Sequence, residues 1–293
     1  MGEGGEPWVN GASMNNQGVE FTVSFKSDPS SEFQWAVSAN IGTYKTELTD
    51  LPSNVINKYA GDGVHDLILG RSPNSAYGLV ADGIFKTQEE VDAHADQPGK
   101  AVGRIRYKDL DGDGVINETY DRTWIGCYDP DFFGGLNFDF AYKGFDLNLF
   151  FEGMFGNDVN SDWKKESDIW LFTNPAWKNH ATRMLGGWSP DNPNSDIPAI
   201  SNNTANQEQR FSSWFIEDGS YIKLRNIELG YTFPTKLIKK MHMSNLRLYA
   251  AAYNVFTLKK FWGDDKYTSF DPELPSYHYL TPFTFNFCIN VSF

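Results

Sequence analysis

The sequence has little cysteine, no excess of basic charge and no long apolar run, and each shortage removes a class of protein. Two cysteines in 293 residues, Cys127 and Cys288, are too few for a disulfide framework, and no bridge between them is expected. Acidic residues outnumber basic ones, 38 to 25, for a formal net charge of -13. That balance leaves no basic face for nucleic acid. No stretch approaches the roughly 18 consecutive apolar residues of a membrane helix. Residues 1–7 show no basic stretch followed by an apolar one, so no secretory leader is visible in them.

Catalytic signatures are equally scarce. The five histidines, His65, His94, His180, His242 and His278, form no His-Glu-x-x-His pair. There is no Gly-x-Ser-x-Gly elbow. Gly61-Asp62-Gly63-Val64-His65 is not followed by the Lys-Ser or Lys-Thr of a phosphate loop. Paired acids for glycoside hydrolysis have no diagnostic spacing, and with 38 acids present their existence carries no weight. The expectation is a protein without enzymatic activity.

Aromatic residues and alternation are abundant. The chain holds 23 Phe, 14 Tyr and 9 Trp, residue types that favour strands. From Phe283 to Phe293 every odd residue is apolar and every even one small or polar. Strand side chains alternate faces, so this segment is a strand with one apolar and one polar face, and its ten or so residues suit a tilted strand crossing a bilayer. The pattern recurs near 18–27, 33–44, 133–142, 145–155, 220–233 and 245–257. Lys143-Gly144 sits between two such runs as a hairpin turn. Ile222-Lys223-Leu224 is out of phase with Ile227-Glu228-Leu229, which predicts a bulge at Arg225-Asn226.

Short links near 28–32 and 143–144 contrast with long segments at 45–132, 156–219 and 258–280. A soluble sandwich also alternates, but its connections are shorter and more even. Short turns on one side and long loops on the other are the habit of an outer-membrane barrel. If 143–144 is periplasmic, so is 234–244, and the last strand runs inward to Phe293. Glu20, Gln34, Asn40, Asp139, Asp146, Asn148, Glu152, Lys223, Arg225, Glu228, Asn286 and Asn290 then face the lumen.

The sharpest chemical motif is Asp109-Leu110-Asp111-Gly112-Asp113-Gly114-Val115. Alternate carboxylates and a turn-forming glycine match the start of a calcium loop, with the Val115 carbonyl as a fourth ligand. Tyr120 stands where the usual bidentate acid belongs; Asp121 follows one residue late. The candidate metal set is therefore Asp109, Asp111, Asp113, Val115 and Asp121, with Ca2+ as the candidate ion, bracing a loop. An acidic turn that holds no metal fits the same residues. Trp163, Trp170, Trp177, Trp188 and Trp214 crowd the segment 156–219. They are candidates for stacking on substrate, or for packing that segment against itself.

Several motifs together resemble the C-terminal part of the SusC/RagA family of TonB-dependent outer-membrane transporters. They are Tyr77-Gly78, Ala81-Asp82-Gly83-Ile84-Phe85 with Thr87-Gln88-Glu89-Glu90-Val91, Gly103-Arg104-Ile105-Arg106-Tyr107 leading into the acidic loop, and Asp121-Arg122 with Ile125-Gly126. Tyr142-Lys143-Gly144-Phe145-Asp146, Ser220 to Asn226, Leu229-Gly230-Tyr231, Tyr253 to Thr257 and the ending Phe285 to Phe293 complete the set. The likeness runs from Asn16 onward. Cys127 and the absence of Arg in Leu280-Thr281-Pro282-Phe283 depart from the pattern.

The resemblance implies an all-β chain, 1–293, forming the C-terminal part of an antiparallel transmembrane β-barrel of about 22 strands with long extracellular loops. The plug domain is expected to be absent from this chain. It also implies the outer membrane of a Gram-negative, Bacteroidetes-like cell, a SusD-like surface lipoprotein as partner, TonB engaged through an N-terminal part, and oligosaccharide or peptide cargo. The terminal aromatic Phe293 would be the assembly signal. A secreted or surface β-protein that binds glycan through its tryptophans, with a calcium-braced loop, is the alternative; a glycoside hydrolase on a β scaffold is a third reading.

Overall fold

The computed structural model describes residues 11–52, 67–169, 180–201, 205, 207–259, 268–275 and 279–293. Among them the strands run β1 (Ser13–Lys26), β2 (Phe33–Asp50), β3 (Ser75–Leu79), β4 (Ala81–Ile84), β5 (Ile105–Tyr107), β6 (Arg122–Cys127), β7 (Phe132–Tyr142), β8 (Phe145–Phe155), β9 (Asp158–Asn160), β10 (Ile216–Asp218), β11 (Tyr221–Thr232), β12 (Asn245–Lys259) and β13 (Thr284–Ser292). They fall into two compact units. One comprises 18–44, 130–158 and 218–293; the other comprises 1–17, 45–129 and 159–217.

The first unit is a seven-stranded wall in the order β1-β2-β7-β8-β11-β12-β13, so each strand lies beside the next wall strand in the chain. The pairs from β2 to β13 are antiparallel. Lys143 and Gly144 both have positive φ, 46° and 87°, the backbone a two-residue hairpin turn requires. The register shifts between Leu224 and Asn226 against both neighbours. This is the bulge that the phase change in the sequence predicts.

Register sorts the side chains. Val37, Phe138, Leu149, Ile227 and Ala252 are mutual partners across five strands, and Trp35, Phe140, Leu147, Leu229 and Ala250 form the next row. Phe285, Phe287, Ile289 and Val291 share this face on β13. No Asp, Glu, Lys or Arg falls on it along the paired stretches. The face is uncovered: Phe21, Phe145, Leu229, Phe287 and Ile289 are exposed, Phe287 by 79%. An apolar surface of this extent marks a membrane or partner interface. At the turn end, Phe33, Tyr142, Phe145 and Tyr231 make one aromatic row across four strands, with Phe145 and Tyr231 ring centroids 4.6 Å apart. Outer-membrane barrels carry such girdles at the interface.

The second unit has an ordinary interior. The long segments 45–132 and 156–219, read from the sequence as loops, build a body with its own core of Leu79, Ile84, Ile105, Tyr107, Ile116, Ile169 and Phe215. β3 pairs with β6 and β4 with β5. The short helix Gln88–Ala93 is capped by the Thr87 hydroxyl, which accepts from the Glu90 N–H. Buried Gln97 uses its side-chain amide as a strand neighbour, donating to the Ile105 carbonyl at 2.8 Å and accepting from the Tyr107 N–H at 3.0 Å. Arg104 and Glu208 form a buried ion pair, Nη1 to Oε2 2.7 Å, and Glu208 also accepts the Ile105 N–H at 2.9 Å. Burial pushes the Glu208 carboxyl up, against the pull of Arg104.

Candidate functional site

The polar face of the wall is a hydrogen-bonded surface built by the odd residues of β7, the even residues of β8 and their partners. Asn148 donates to Asn137 at 2.9 Å and to Asp139 at 2.7 Å, and Asn226 donates to Asn148 at 3.1 Å. Arg247 reaches from β12 across β11 to Asp146 on β8, Nε to Oδ1 3.1 Å, and bonds Glu228 at 2.6 Å on the way. Gly230 makes that reach possible. A Cβ there would lie 2.6 Å from both the Arg247 guanidinium and the Asp146 carboxylate. Farther along, Arg225 bonds Glu152 at 2.7 Å. The face is ionised but locally compensated, suited to water and polar solutes rather than to lipid.

The acidic loop folds on itself. Gly112 and Gly114 take positive φ, 77° and 85°, and their N–H groups donate to Asp109 at 2.7 and 2.9 Å. Asp121 is fully buried and accepts the N–H groups of Leu110 and Asn117 at 2.8 and 2.7 Å. Oxygens of Asp109, Asp111 and Asp121 lie within 4.8 Å of one another. Asp113 stands outside this trio and accepts the Val115 N–H at 2.7 Å, while the Val115 carbonyl accepts from Asn117 at 3.4 Å. Desolvation pushes the Asp109 carboxyl up, but the N–H groups of Gly114 and Gly112 outweigh it and hold the value low. Asp111 goes the other way: the Asp113 N–H pulls it down, and desolvation with the Asp113 and Asp121 charges carries it up. Crowded carboxylates of this kind suit a hard cation with oxygen ligands.

No family model matches the chain. Among curated proteins, TonB-dependent receptor P3 of Formosa agariphila is 31% identical over 260 residues, 86% of this chain and 25% of the relative. TonB-dependent receptor SusC of Bacteroides thetaiotaomicron is 26% identical over 273 residues, 90% of this chain and 24% of SusC. Two solved structures share the fold. The RagAB peptide importer in its open-open state matches with a TM-score of 0.67 at 21% identity, over 96% of this chain and 29% of that one. The RagAB peptide transporter matches at 0.64 and 21%, over 90% and 27%. The chain belongs to the SusC/RagA-type TonB-dependent receptors. It spans about a quarter of the length of the curated relatives named above, and its seven-stranded sheet is a portion of a β-barrel wall.

In this SusC/RagA-type chain the described candidate tryptophans are Trp163, Trp188 and Trp214. Trp188 and Trp214 pack against the core of the second unit. Their indole N–H groups are buried without a hydrogen-bond partner, and Lys164 Nζ lies 4.8 Å from the Trp214 ring centre. Trp163 is half-buried on the helix Asp162–Asp168. Trp170 and Trp177 lie outside the described residues. Phe293 is 88% exposed just past β13, and Cys127 and Cys288 are not bridged to each other. The sequence reading missed the part that Gly230 and Gln97 play. A glycine amid alternating strand residues is the signal for the first; nothing in the sequence marks the second.

Proposed function

We propose that the chain supplies part of the wall and outer loops of an outer-membrane nutrient importer. One observation carries this reading: a sheet with an uncovered aromatic face, free of charge along its paired stretches, backed by a face of hydrogen-bonded ions, in a chain related to TonB-dependent receptors. The aromatic face meets lipid and the ionic face lines the lumen. The cargo is an oligosaccharide or a peptide, the lid a SusD-like lipoprotein, and the energy comes through TonB. The protein transports and does not catalyse. Asp109, Asp111 and Asp121 hold Ca2+, which stiffens the turn from 109 to 121. The half-buried and exposed aromatics of 156–219 touch cargo or partner.

Disruption of the gene, tested with fluorescent oligosaccharides and peptides, is expected to abolish uptake of one class, and disruption of TonB to do the same. The protein should extract from membranes only with detergent. Recovery in the soluble fraction, or uptake of both classes unchanged by the disruption, overturns the reading. For the ion, Asp111→Ala should lower amide protection of 109–121 at millimolar Ca2+; equal protection with and without chelator excludes it.

A further inference from the structure

Between β12 and β13 the segment 269–275 lies against the ionic face of the wall and is bound to it at three places. Lys259 Nζ bonds the carbonyls of Ser269 and Phe270, at 2.5 and 2.8 Å. Lys223 Nζ bonds Asp271 Oδ1 at 2.7 Å and also Glu273. Glu273 receives the Tyr221 hydroxyl at 2.8 Å and an Arg225 Nη2. Ser269 is 1% exposed and Lys223 3%. The segment is thus a strap, and Glu273 is its most heavily bonded residue.

The wall side of this contact has a definite chemistry. Lys223 and Arg225 stand two residues apart and so serve one face, and the register shift beside Arg225 keeps Asn226 on that face as well. Glu152 occupies Arg225 Nε at 2.7 Å, which leaves Nη2 for the strap. A phenol, an ammonium and a guanidinium edge therefore converge on one carboxylate, the group that a guanidinium fork fits best. Burial pushes the Glu273 carboxyl up, yet the bonds from Arg225, Lys223 and Tyr221 hold it down to about 2. With the strap lifted, the same three donors face water, and Glu152 stays on the Nε edge of Arg225.

We propose that Tyr221, Lys223 and Arg225 form a carboxylate-binding site on the barrel wall, filled in this structure by the chain's own Glu273, and that an acidic cargo takes Glu273's place and releases the strap. The proposal rests on the reading of the ionic face as the lumen. It selects for cargo bearing a carboxylate, whether a uronic-acid sugar or a peptide, and against neutral sugars, which cannot exchange for an anion. The strap narrows the lumen until such a cargo arrives.

The test uses the protein purified in detergent from cells that express it naturally, with Cys127→Ser and Cys288→Ser and a nitroxide on Phe270→Cys, a side chain 57% exposed. The label should be immobilised. Glu273→Gln should remove the immobilised spectral component, and so should Arg225→Gln, a second variant in case one fails to fold. In the unsubstituted site, sodium glucuronate or sodium N-acetylglycinate should remove that component at a concentration where sodium chloride of equal ionic strength leaves it; whichever acts names the carrier. Release by neither carboxylate, equal release by chloride, or an immobile label in both variants overturns the proposal. Collision of the label with lipid-soluble oxygen against a water-soluble nickel chelate is a separate readout. Contact with the detergent micelle alone would overturn the lumen assignment itself.

Discussion

The wall and the loop body use the same amino acids in opposite ways. In the loop body Leu79, Ile105 and Phe215 are buried and the ion pair of Arg104 with Glu208 is sealed in with them. In the wall Phe21, Phe145 and Phe287 lie exposed, and the ionic groups Arg247, Asp146 and Glu228 hold one another. The loop body draws stability from burying apolar surface within itself. The wall has no interior of that kind, so its apolar side must be buried by something else, and its cohesion comes from backbone ladders and side-chain bonds. Alternation alone identifies a sheet, whereas the identity of what covers each face identifies its setting.

The largest effect is expected in the loop body. Glu208→Ala leaves Arg104 buried without its partner, a loss of about 3–5 kcal/mol. Amide exchange should rise across 103–107 and not in β7 or β8; a rise in both would show that the two regions do not differ as described. Next comes the wall's apolar face. Leu149 lies midway along β8, beside Phe138 and Ile227. Leu149→Arg should cost about 2–4 kcal/mol if lipid covers it, read as loss of the heat-modifiable folded band on a gel. An unaffected band would place water there.

Asp121→Asn keeps one carbonyl oxygen for two buried N–H donors, so the amide of Leu110 or Asn117 should exchange faster, at a cost of about 1–3 kcal/mol. Gly230→Ala should cost about 1 kcal/mol, because the ends of Arg247 and Asp146 can shift aside; a much larger loss in chemical denaturation would mean that the ion pair holds the wall rigid. The smallest effect concerns pH at the strap. Glu273 titrates below its ordinary 4.5, at about 2, so its contribution is complete above the ordinary value and is lost as pH falls through about 2. Tyr221, Lys223, Arg225 and Glu152 are the wall groups around it, with Asp271 beside it on the strap. Between pH 7 and pH 5 the label on the strap should not change; release in that interval would contradict the bonding described.

The wall was legible because period-two alternation is a local signal. Phe285 to Phe293 declares its two faces without any partner, and the phase slip at Arg225-Asn226 shows in single-residue steps. The loop body was not legible, since its pairings are distant: Tyr77 sits beside Trp124, and Ile105 donates its N–H to Glu208, about a hundred residues on. Its strands are three to six residues long, too short for a period to register. The acidic loop was half legible. Spacing brought Asp109 and Asp111 together with Asp121, but it could not tell that Asp113 would spend its carboxylate on its own turn. The tryptophans were visible as a cluster in sequence, and only packing separates Trp188 and Trp214, turned into the core, from Trp163.

The two-residue link at Lys143-Gly144 also bears on the order in which the wall forms. Closing so short a loop costs little chain entropy, whereas joining β2 to β7 or β8 to β11 first requires the intervening segments, each of some 60 residues or more, to be gathered in. Among the pairings from β2 to β13, the eleven residue pairs of β7 and β8 are therefore those that can zip earliest, on the microsecond scale of an isolated hairpin. That hairpin presents two free edges, and β2 and β11 add to them from either side. The wall grows outward from its middle strands, and a Gly144 substitution, strained at φ 87°, would slow the start of assembly before it weakened the finished sheet.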